Sequence, residues 1–280
     1  MLKEIRVSSA MTYEYPPDGA RLPIIDPYDG CTIGCPYCFQ LDDDEWNNNL
    51  KVKLNIADIL REDLMYWNKE VIVYLGSRCD PYMEIDRKYQ LTRKCLIELS
   101  ELGVKCMVTT KAGSKLIYRD IDVVKPMGDK FTLLLGLSNL GQLKKIDDYA
   151  LMSNIQTANE LHRMGINVWA FITPILPGIT DVDLMINALD KNIPVFLDKV
   201  RFGKNNRSTL AKFISTNYPH LASTYRDIIN NNIDVYYDQI REKWCKDQRV
   251  KFVFGMDAYS TGLSGIETVA HNNRAKNVVI

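Results

Sequence analysis

Six short apolar runs, separated by segments with helical periodicity, constrain the fold of this chain more than any other feature. The runs span residues 21–28, 71–77, 104–111, 130–138, 167–176 and 194–202. Alternation of strand and helix predicts a parallel sheet joined by right-handed crossovers. Six units are fewer than the eight of a closed barrel. We therefore predict an α/β fold with a partial (β/α)6 barrel, and a doubly wound open sheet is the alternative.

Helical patterns lie between the apolar runs. The clearest covers residues 87–102, where apolar side chains recur every three or four positions and Gly103 follows as a candidate C-cap. A second covers residues 153–164. A third begins near Thr180, which we expect to cap it.

The pattern changes after Phe202. Longer helical stretches cover residues 208–230 and 234–246, and a candidate last strand begins at Val250. We interpret residues 1–205 as the barrel core and residues 206–280 as a helical C-terminal extension packed on it. No linker-like stretch divides the chain, so we expect a single domain overall.

Composition excludes several classes of protein. The chain has 280 residues, and its 35 basic side chains balance 35 acidic ones, which gives no support for general binding to nucleic acids or membrane surfaces. Its first residues lack the apolar core of a signal peptide, and no apolar run approaches the roughly 18 residues that a membrane span needs. We expect a cytoplasmic protein with no membrane partner, whose seven cysteines do not form a disulfide framework.

Three of the cysteines lie within eight residues, directly after the first predicted strand. They are Cys31, Cys35 and Cys38, with the spacing C-x3-C-x2-C. A structural zinc site needs four ligands, and no nearby cysteine or histidine offers a fourth. Thiolates suit an iron–sulfur cluster, and three of them leave one iron open to substrate or cofactor.

This spacing, with Tyr37 just before the last cysteine, resembles the signature of the radical S-adenosylmethionine superfamily. The resemblance implies that the three cysteines hold a [4Fe–4S] cluster, and that S-adenosylmethionine binds the fourth iron through its amino and carboxylate groups. It further implies a partial (β/α)6 barrel. The implied reaction is reductive cleavage of the cofactor to a 5′-deoxyadenosyl radical, which abstracts hydrogen from a substrate.

Further segments extend the resemblance over residues 22–254, to the spore photoproduct lyase-like branch and its uncharacterised members. These segments are IIDPYDGC, GSRCDPY, TTKAGSKLIYRDIDVV, GLS and ITPILPGITD. The branch implies a lyase or another radical enzyme, and a reductant such as flavodoxin or ferredoxin as its partner. The resemblance does not indicate which substrate this chain acts on.

Polar side chains follow the predicted strands, where a parallel barrel carries its active site. By resemblance, Lys111 would meet the carboxylate of S-adenosylmethionine, and Ser138 would make a second polar contact. The alternative for Lys111 is a solvated surface side chain. Ser77 and Asp80 lie where the superfamily places contacts to the methionine amino group.

The remaining site candidates come from three loops. By resemblance, Tyr37 would lie beside the adenine of the cofactor, and Pro174 and Ile175 would flank it. Cys79 is a candidate catalytic residue, because a thiol has a weak S–H bond and can donate a hydrogen atom to a product radical. The alternative for Cys79 is a small buried filler. Related sequences often carry an arginine on the helix after the fourth strand, where this chain has residues 153–156, so more of the cofactor contact depends on Lys111.

Three functions remain open. The acidic run at residues 41–45 and the zero net charge favour a peptide or protein side chain as substrate. The basic segment at residues 201–207 could contact a phosphate backbone, which keeps a nucleic-acid-modifying or repair lyase as an alternative. The third is a non-enzymatic iron–sulfur protein that transfers electrons or senses redox state. The polar residues at the strand ends argue against it.

Overall fold

The computed structural model describes residues 2–14, 22–42, 46, 48–112, 115–138, 148–202, 204–231 and 235–253. Its strands are β1 (Leu2–Ile5), β2 (Met11–Glu14), β3 (Leu22–Ile25), β4 (Tyr28–Asp29), β5 (Leu50–Lys53), β6 (Val73–Leu75), β7 (Cys106–Thr110), β8 (Phe131–Leu137), β9 (Val168–Ile175), β10 (Val195–Lys199) and β11 (Val250–Phe252). Its α-helices are α1 (Ile56–Leu64), α2 (Asp86–Tyr89), α3 (Leu91–Glu101), α4 (Ile121–Val124), α5 (Asp148–Arg163), α6 (Val182–Ala188), α7 (Lys204–Asn217), α8 (Ala222–Asn231) and α9 (Val235–Trp244). Short 3₁₀ segments span Phe39–Asp42, Lys115–Asp120, Lys125–Lys130 and Pro219–Leu221.

The larger sheet has eight strands in the order β11-β10-β9-β8-β7-β6-β3-β2. Every neighbouring pair from β3 to β11 is parallel, and only β2 pairs antiparallel with its neighbour. The six predicted strands are β3 and β6 to β10, so the prediction of a partial barrel is confirmed. The short strand β11 adds a seventh parallel strand at one edge, and β1, β5 and β4 form a separate small sheet.

Strand β8 shows why the sequence favours this sheet. All seven of its residues are buried, and it pairs in parallel with β7 and β9. A nearly continuous apolar run, interrupted here only by Thr132, is typical of a parallel strand covered on both faces. Cys95 of α3 and Cys106 of β7 are buried in the same core.

Two helix predictions are partly wrong. The helix predicted over residues 87–102 is divided into α2 and α3 at Gln90, whose φ of 53° lies in the left-handed region. Helix α6 is capped by Asp181, whose carboxylate accepts a hydrogen bond from the Leu184 amide at 2.9 Å. The Thr180 hydroxyl instead accepts a hydrogen bond from the loop that precedes it. Gly103 does end α3, with a φ of 67°.

Two C-terminal helices form hydrogen bonds with the end of β9 and with the loop that follows it. Tyr225 of α8 donates to the Pro177 carbonyl, and Tyr237 of α9 donates to the Ile175 carbonyl. Helix α7 begins at Lys204, so part of the basic segment at residues 201–207 is helical. Residues 254–280 of the predicted extension lie outside the described residues. No helix in the described ranges is both long and apolar enough to cross a membrane.

Candidate active site at the mouth of the barrel

A cavity of about 460 Å³ opens where the barrel strands end. Its walls come from the loop after β4 and from the carboxyl ends of β6, β7, β9 and β10. This edge of the sheet brings most of the predicted site residues together, namely Cys31, Cys35, Cys38, Tyr37, Ser77, Cys79, Asp80, Lys111 and Pro174. Ile175 lies in the main core instead. A groove of about 510 Å³ between α6 and α9 contains none of the predicted site residues.

The segment that carries Cys31, Cys35 and Cys38, here called the cysteine loop, begins at a tight turn at Gly30. Gly30 has a φ of 94°, and a Cβ there would lie 2.6 Å from the Asn49 carbonyl oxygen. Only glycine fits both the conformation and the space. Beyond this turn, the Cys38 amide donates to the Cys35 carbonyl and the Leu41 amide to the Cys38 carbonyl, each at 3.2 Å. These bonds curl the loop so that its cysteines line the cavity.

The three thiols fit an iron–sulfur cluster better than a single metal ion. Across the described residues, no three His, Cys, Asp or Glu side chains lie close enough together to hold one ion. In a cluster each thiolate binds a different iron, so the sulfurs do not need to meet at one point. Burial raises the pKa of Cys31 to about 12, and it also raises the pKa values of Cys35 and Cys38. Cationic iron would compensate these buried charges.

Lys111 lies inside the cavity and is not a solvated surface side chain. Its Nζ donates to the Thr173 carbonyl at 2.8 Å and lies 4.8 Å from the centre of the Tyr37 ring. Burial lowers the pKa of Lys111, whereas the nearby Cys35 and Cys38 favour its charged form. These contacts place the amino group of Lys111 beside the cysteine loop.

Sequence reasoning missed two residues that hold Lys111 in place, Gly136 and Asn154. The side chain of Lys111 crosses Gly136 of β8, where a Cβ would lie 2.4 Å from Lys111 Cγ. The Asn154 Nδ2 donates to the backbone carbonyls of Lys111 and Gly136, at 3.3 Å each. The glycine in the GLS segment was the available signal, whereas Asn154 could be recognised only from the pairing of α5 with the sheet.

An irregularity between β9 and β10 shapes the same wall. Leu197 pairs with Ile172, but Lys199 pairs with Ile175, so β9 carries one residue more than β10. Such bulges bend a strand and re-aim side chains next to active sites. Here the irregular segment includes Thr173, the residue whose carbonyl accepts the Lys111 hydrogen bond.

Asp80 organises the loops after β6 and β7. Its carboxylate accepts hydrogen bonds from the amides of Tyr82 (2.9 Å), Lys111 (2.7 Å) and Ala112 (3.0 Å), and from the Thr110 hydroxyl (2.8 Å). Burial raises the pKa of Asp80, and these donors oppose that shift. The carboxylate therefore ties the backbone beneath Lys111 to the GSRCDPY segment.

The Cys79 thiol is buried beside the cavity wall. Its Sγ lies 3.2 Å from the Tyr28 carbonyl oxygen and 3.7 Å from Asp26 Oδ1. Asp26 in turn pairs with Arg78 at 2.9 Å. Burial and the Asp26 carboxylate raise the pKa of Cys79 well above its usual range, so the thiol keeps its proton.

Asp198 and Arg201 form an ion pair at the opposite wall. The buried Asp198 carboxylate accepts from the Lys199 amide at 2.9 Å and from Arg201 Nε at 3.2 Å. Arg201 is 44% exposed, so it lies at the open side of the cavity. Sequence reasoning singled out Arg201 as part of the basic segment at residues 201–207, but it missed Asp198.

Ser138 does not line the cavity itself, but it is hydrogen-bonded to Tyr37, which does. The Tyr37 hydroxyl donates to Ser138 Oγ at 3.1 Å, which joins the cysteine loop to the end of β8. Asn139, which follows Ser138 in the sequence, lies outside the described residues.

Comparison with known protein sequences finds relatives but no matching family profile. An uncharacterised protein of Methanocaldococcus jannaschii is 31% identical over 178 residues, 58% of this chain and 64% of that protein. An uncharacterised protein of Mycobacterium tuberculosis is 22% identical over 81% of this chain and 74% of its own length. The radical SAM Nalpha-GlyT isomerase of Pseudomonas phage M6 is 24% identical, over 70% of this chain and 40% of its own. The chain thus spans less than two thirds of the archaeal relative.

Solved structures share the architecture. A variant of spore photoproduct lyase with bound AdoMet and dinucleoside spore photoproduct has a TM-score of 0.62, with 12% identity over 90% of this chain and 82% of that one. Another variant of the same lyase has a TM-score of 0.57, with 15% identity over 78% of this chain and 66% of that one. At such low identity the likeness shows the fold. Together with the cysteine loop and the phage relative, it supports the resemblance of the chain to the radical S-adenosylmethionine superfamily and to its spore photoproduct lyase-like branch.

Proposed function

We propose that the protein is a radical enzyme that cleaves S-adenosylmethionine at a [4Fe–4S] cluster and takes hydrogen from a substrate. The observation that carries this proposal is that three cysteine thiols and the Lys111 ammonium line one cavity at the carboxyl ends of the strands. When bound, the cluster supplies the electron that cleaves the sulfonium and so yields the 5′-deoxyadenosyl radical.

The chain's own residues bind and orient in this proposal. Cys31, Cys35 and Cys38 hold the cluster, and Lys111 attracts the carboxylate of S-adenosylmethionine. Thr173 and the Tyr37 ring hold the Lys111 ammonium inside the cavity. Ser77, Pro174 and Ser138 are offered as further cofactor contacts. Asp80 acts on the cofactor through the loop that it organises.

Cys79 is proposed to return a hydrogen atom to the product radical. Its S–H bond would break and a C–H bond would form on the product. The thiyl radical that remains would return to the thiol by taking one electron from the reductant and one proton from solvent. Two features support this role: Cys79 lines the cavity, and its surroundings keep the thiol protonated. A reductant of the flavodoxin or ferredoxin type would also deliver the electron to the cluster.

Two classes of substrate are candidates for this cavity. The sequence predicts a peptide or protein side chain, and the buried Asp198 carboxylate would suit a basic peptide. Nucleic acid is the second candidate, because Arg78, Lys199 and Arg201 line the cavity and Phe39 is 57% exposed at its edge. Cations neutralise phosphates and exposed aromatic rings stack on bases. The solved photoproduct lyase that holds a dinucleoside lesion supports the second candidate.

The radical reaction is tested by anaerobic reconstitution with iron and sulfide, followed by dithionite and S-adenosylmethionine. We expect 5′-deoxyadenosine by mass spectrometry, its loss in Cys35→Ala, and its retention in Cys245→Ala, which removes an exposed cysteine elsewhere. If the loaded protein gives no product and S-adenosylmethionine leaves the EPR spectrum of the reduced cluster unchanged, the electron-carrier alternative replaces this proposal.

A further inference from the structure

Asn206 joins the cysteine loop to the loop after β10. It is fully buried at the start of α7. Its Nδ2 donates one hydrogen bond to the Tyr37 carbonyl at 3.1 Å and another to the Arg201 carbonyl at 2.9 Å. A single side-chain amide therefore holds two loops that border the cavity, and Tyr37 lies 169 positions from it in the sequence.

The Tyr37 peptide is a sensitive point of the cysteine loop. It lies between Cys35 and Cys38, and the loop there has no strand or helix to fix its backbone. Helix α7 contacts Tyr37 in two ways. Phe213 and neighbouring apolar residues share a buried cluster with the Tyr37 ring, and Asn206 binds its carbonyl. The ring contact restricts the side chain, whereas the Asn206 hydrogen bond fixes the carbonyl side of the Tyr37–Cys38 peptide, whose amide is bonded within the loop to the Cys35 carbonyl.

We propose that Asn206 is a positioning residue for the cysteine loop: it fixes the Tyr37 peptide and thereby the placement of the Cys35 and Cys38 thiols. The identity of the group that these thiols hold rests on the proposed function, but the restraint on the loop belongs to the chain itself. An Asn206 that only anchored α7 would need the Arg201 bond alone.

The decisive variant is Asn206→Asp. It keeps the size of the side chain but replaces the donor with a carboxylate that faces two carbonyl oxygens. Asn159→Asp is the matched control, because Asn159 also bridges distant segments: it donates to the Ala188 carbonyl at 2.9 Å and accepts from the Asp190 amide. It lies on α5 and does not line the cavity.

Amide hydrogen exchange of the metal-free protein is the first measurement. We expect residues 31–42 to exchange about tenfold faster in Asn206→Asp, and to keep wild-type exchange in Asn159→Asp. Asn206→Gln retains an amide donor and should recover part of the protection. If Asn206→Asp does not fold, Asn206→Ala is measured in its place. Wild-type exchange of residues 31–42, or equal acceleration throughout the fold, would overturn the proposal.

Reconstitution gives the second measurement. We expect Asn206→Asp to bind about half the wild-type iron or less and to alter the EPR signal of the reduced cluster, whereas Asn159→Asp retains both. Faster exchange of the loop together with unchanged iron content and EPR signal would also overturn the proposal. A wild-type protein that never forms 5′-deoxyadenosine would contradict the proposed function while leaving the exchange result intact, so the two failures are distinguishable.

Discussion

The side chain of Lys111 crosses directly over Gly136, so closely that a Cβ on Gly136 would lie 2.4 Å from Lys111 Cγ. The two residues are neighbours across β7 and β8, and the missing side chain of one makes room for the other. We expect Gly136→Ala to displace Lys111 and weaken S-adenosylmethionine binding by about tenfold or more, the effect of losing a hydrogen bond to a charged group. Isothermal titration of the reconstituted protein measures this.

A double-mutant cycle is the control for the Gly136 prediction. Lys111→Ala alone should weaken binding by a similar factor, and Gly136→Ala added to it should change little, because the displaced side chain is already absent. Additive effects of the two substitutions would show that Gly136 acts on binding by another route.

Asp80→Asn tests the carboxylate that joins the loops after β6 and β7. An amide Nδ2 cannot accept the hydrogen bonds that the Lys111 and Ala112 amides donate to Oδ2. We expect a loss of about 2–3 kcal/mol in the free energy of unfolding, measured by urea denaturation of the metal-free protein. Asp181→Asn, at an exposed helix cap where asparagine serves nearly as well, should change it little.

Cys79→Ala separates cleavage of the cofactor from completion of the product. If Cys79 donates hydrogen, the variant should still form 5′-deoxyadenosine but lose most of the correct product, once the substrate is known. The ratio of correct product to 5′-deoxyadenosine, measured by mass spectrometry, should be unchanged in Cys106→Ala. Cys106 is equally buried but does not line the cavity. An unchanged ratio in Cys79→Ala would make this residue a packing cysteine.

The pH dependence of stability tests the buried Asp198. Burial raises the pKa of Asp198 above its ordinary value of 3.8, so the unfolded chain releases this proton at a lower pH than the folded chain does. The folded state is therefore penalised as the pH rises through the interval between the two pKa values. Relative to Asp198→Asn, the wild-type protein should lose stability from about pH 4 upward and then level off. If the free energy of unfolding of the wild-type protein minus that of Asp198→Asn stays constant or rises with pH, the pKa of Asp198 is not raised in the folded state.

The local features of this chain were predictable, and the long-range contacts were not. The six strands and the cysteine loop can be recognised from consecutive residues, because apolar runs mark the strands and the cysteine spacing marks the loop. Asp198 was missed because its burial depends on how β10 pairs with β9. Asn206 was missed because its partner, Tyr37, lies 169 positions away and no local pattern marks a bridging amide.

The choice between substrate classes depends on Arg201. Its Nε is held by Asp198 at 3.2 Å, and the side chain is 44% exposed beside the cavity. If the substrate is a nucleic acid, Arg201→Ala should weaken binding of a single-stranded oligonucleotide and reduce the slope of log K against log salt by about 0.7, the value of one phosphate contact on a single strand. Fluorescence anisotropy at several salt concentrations measures both quantities.

Arg163→Ala is the control for this last prediction, because Arg163 is exposed on α5 and does not line the cavity. It should leave oligonucleotide binding unchanged. Tighter binding of a basic peptide than of the oligonucleotide, abolished by Asp198→Asn and retained in Arg201→Ala, would favour the peptide substrate instead. The buried carboxylate, rather than the arginine that it holds, would then be the group that recognises the substrate, because a basic peptide is attracted by an anion and repelled by a cation.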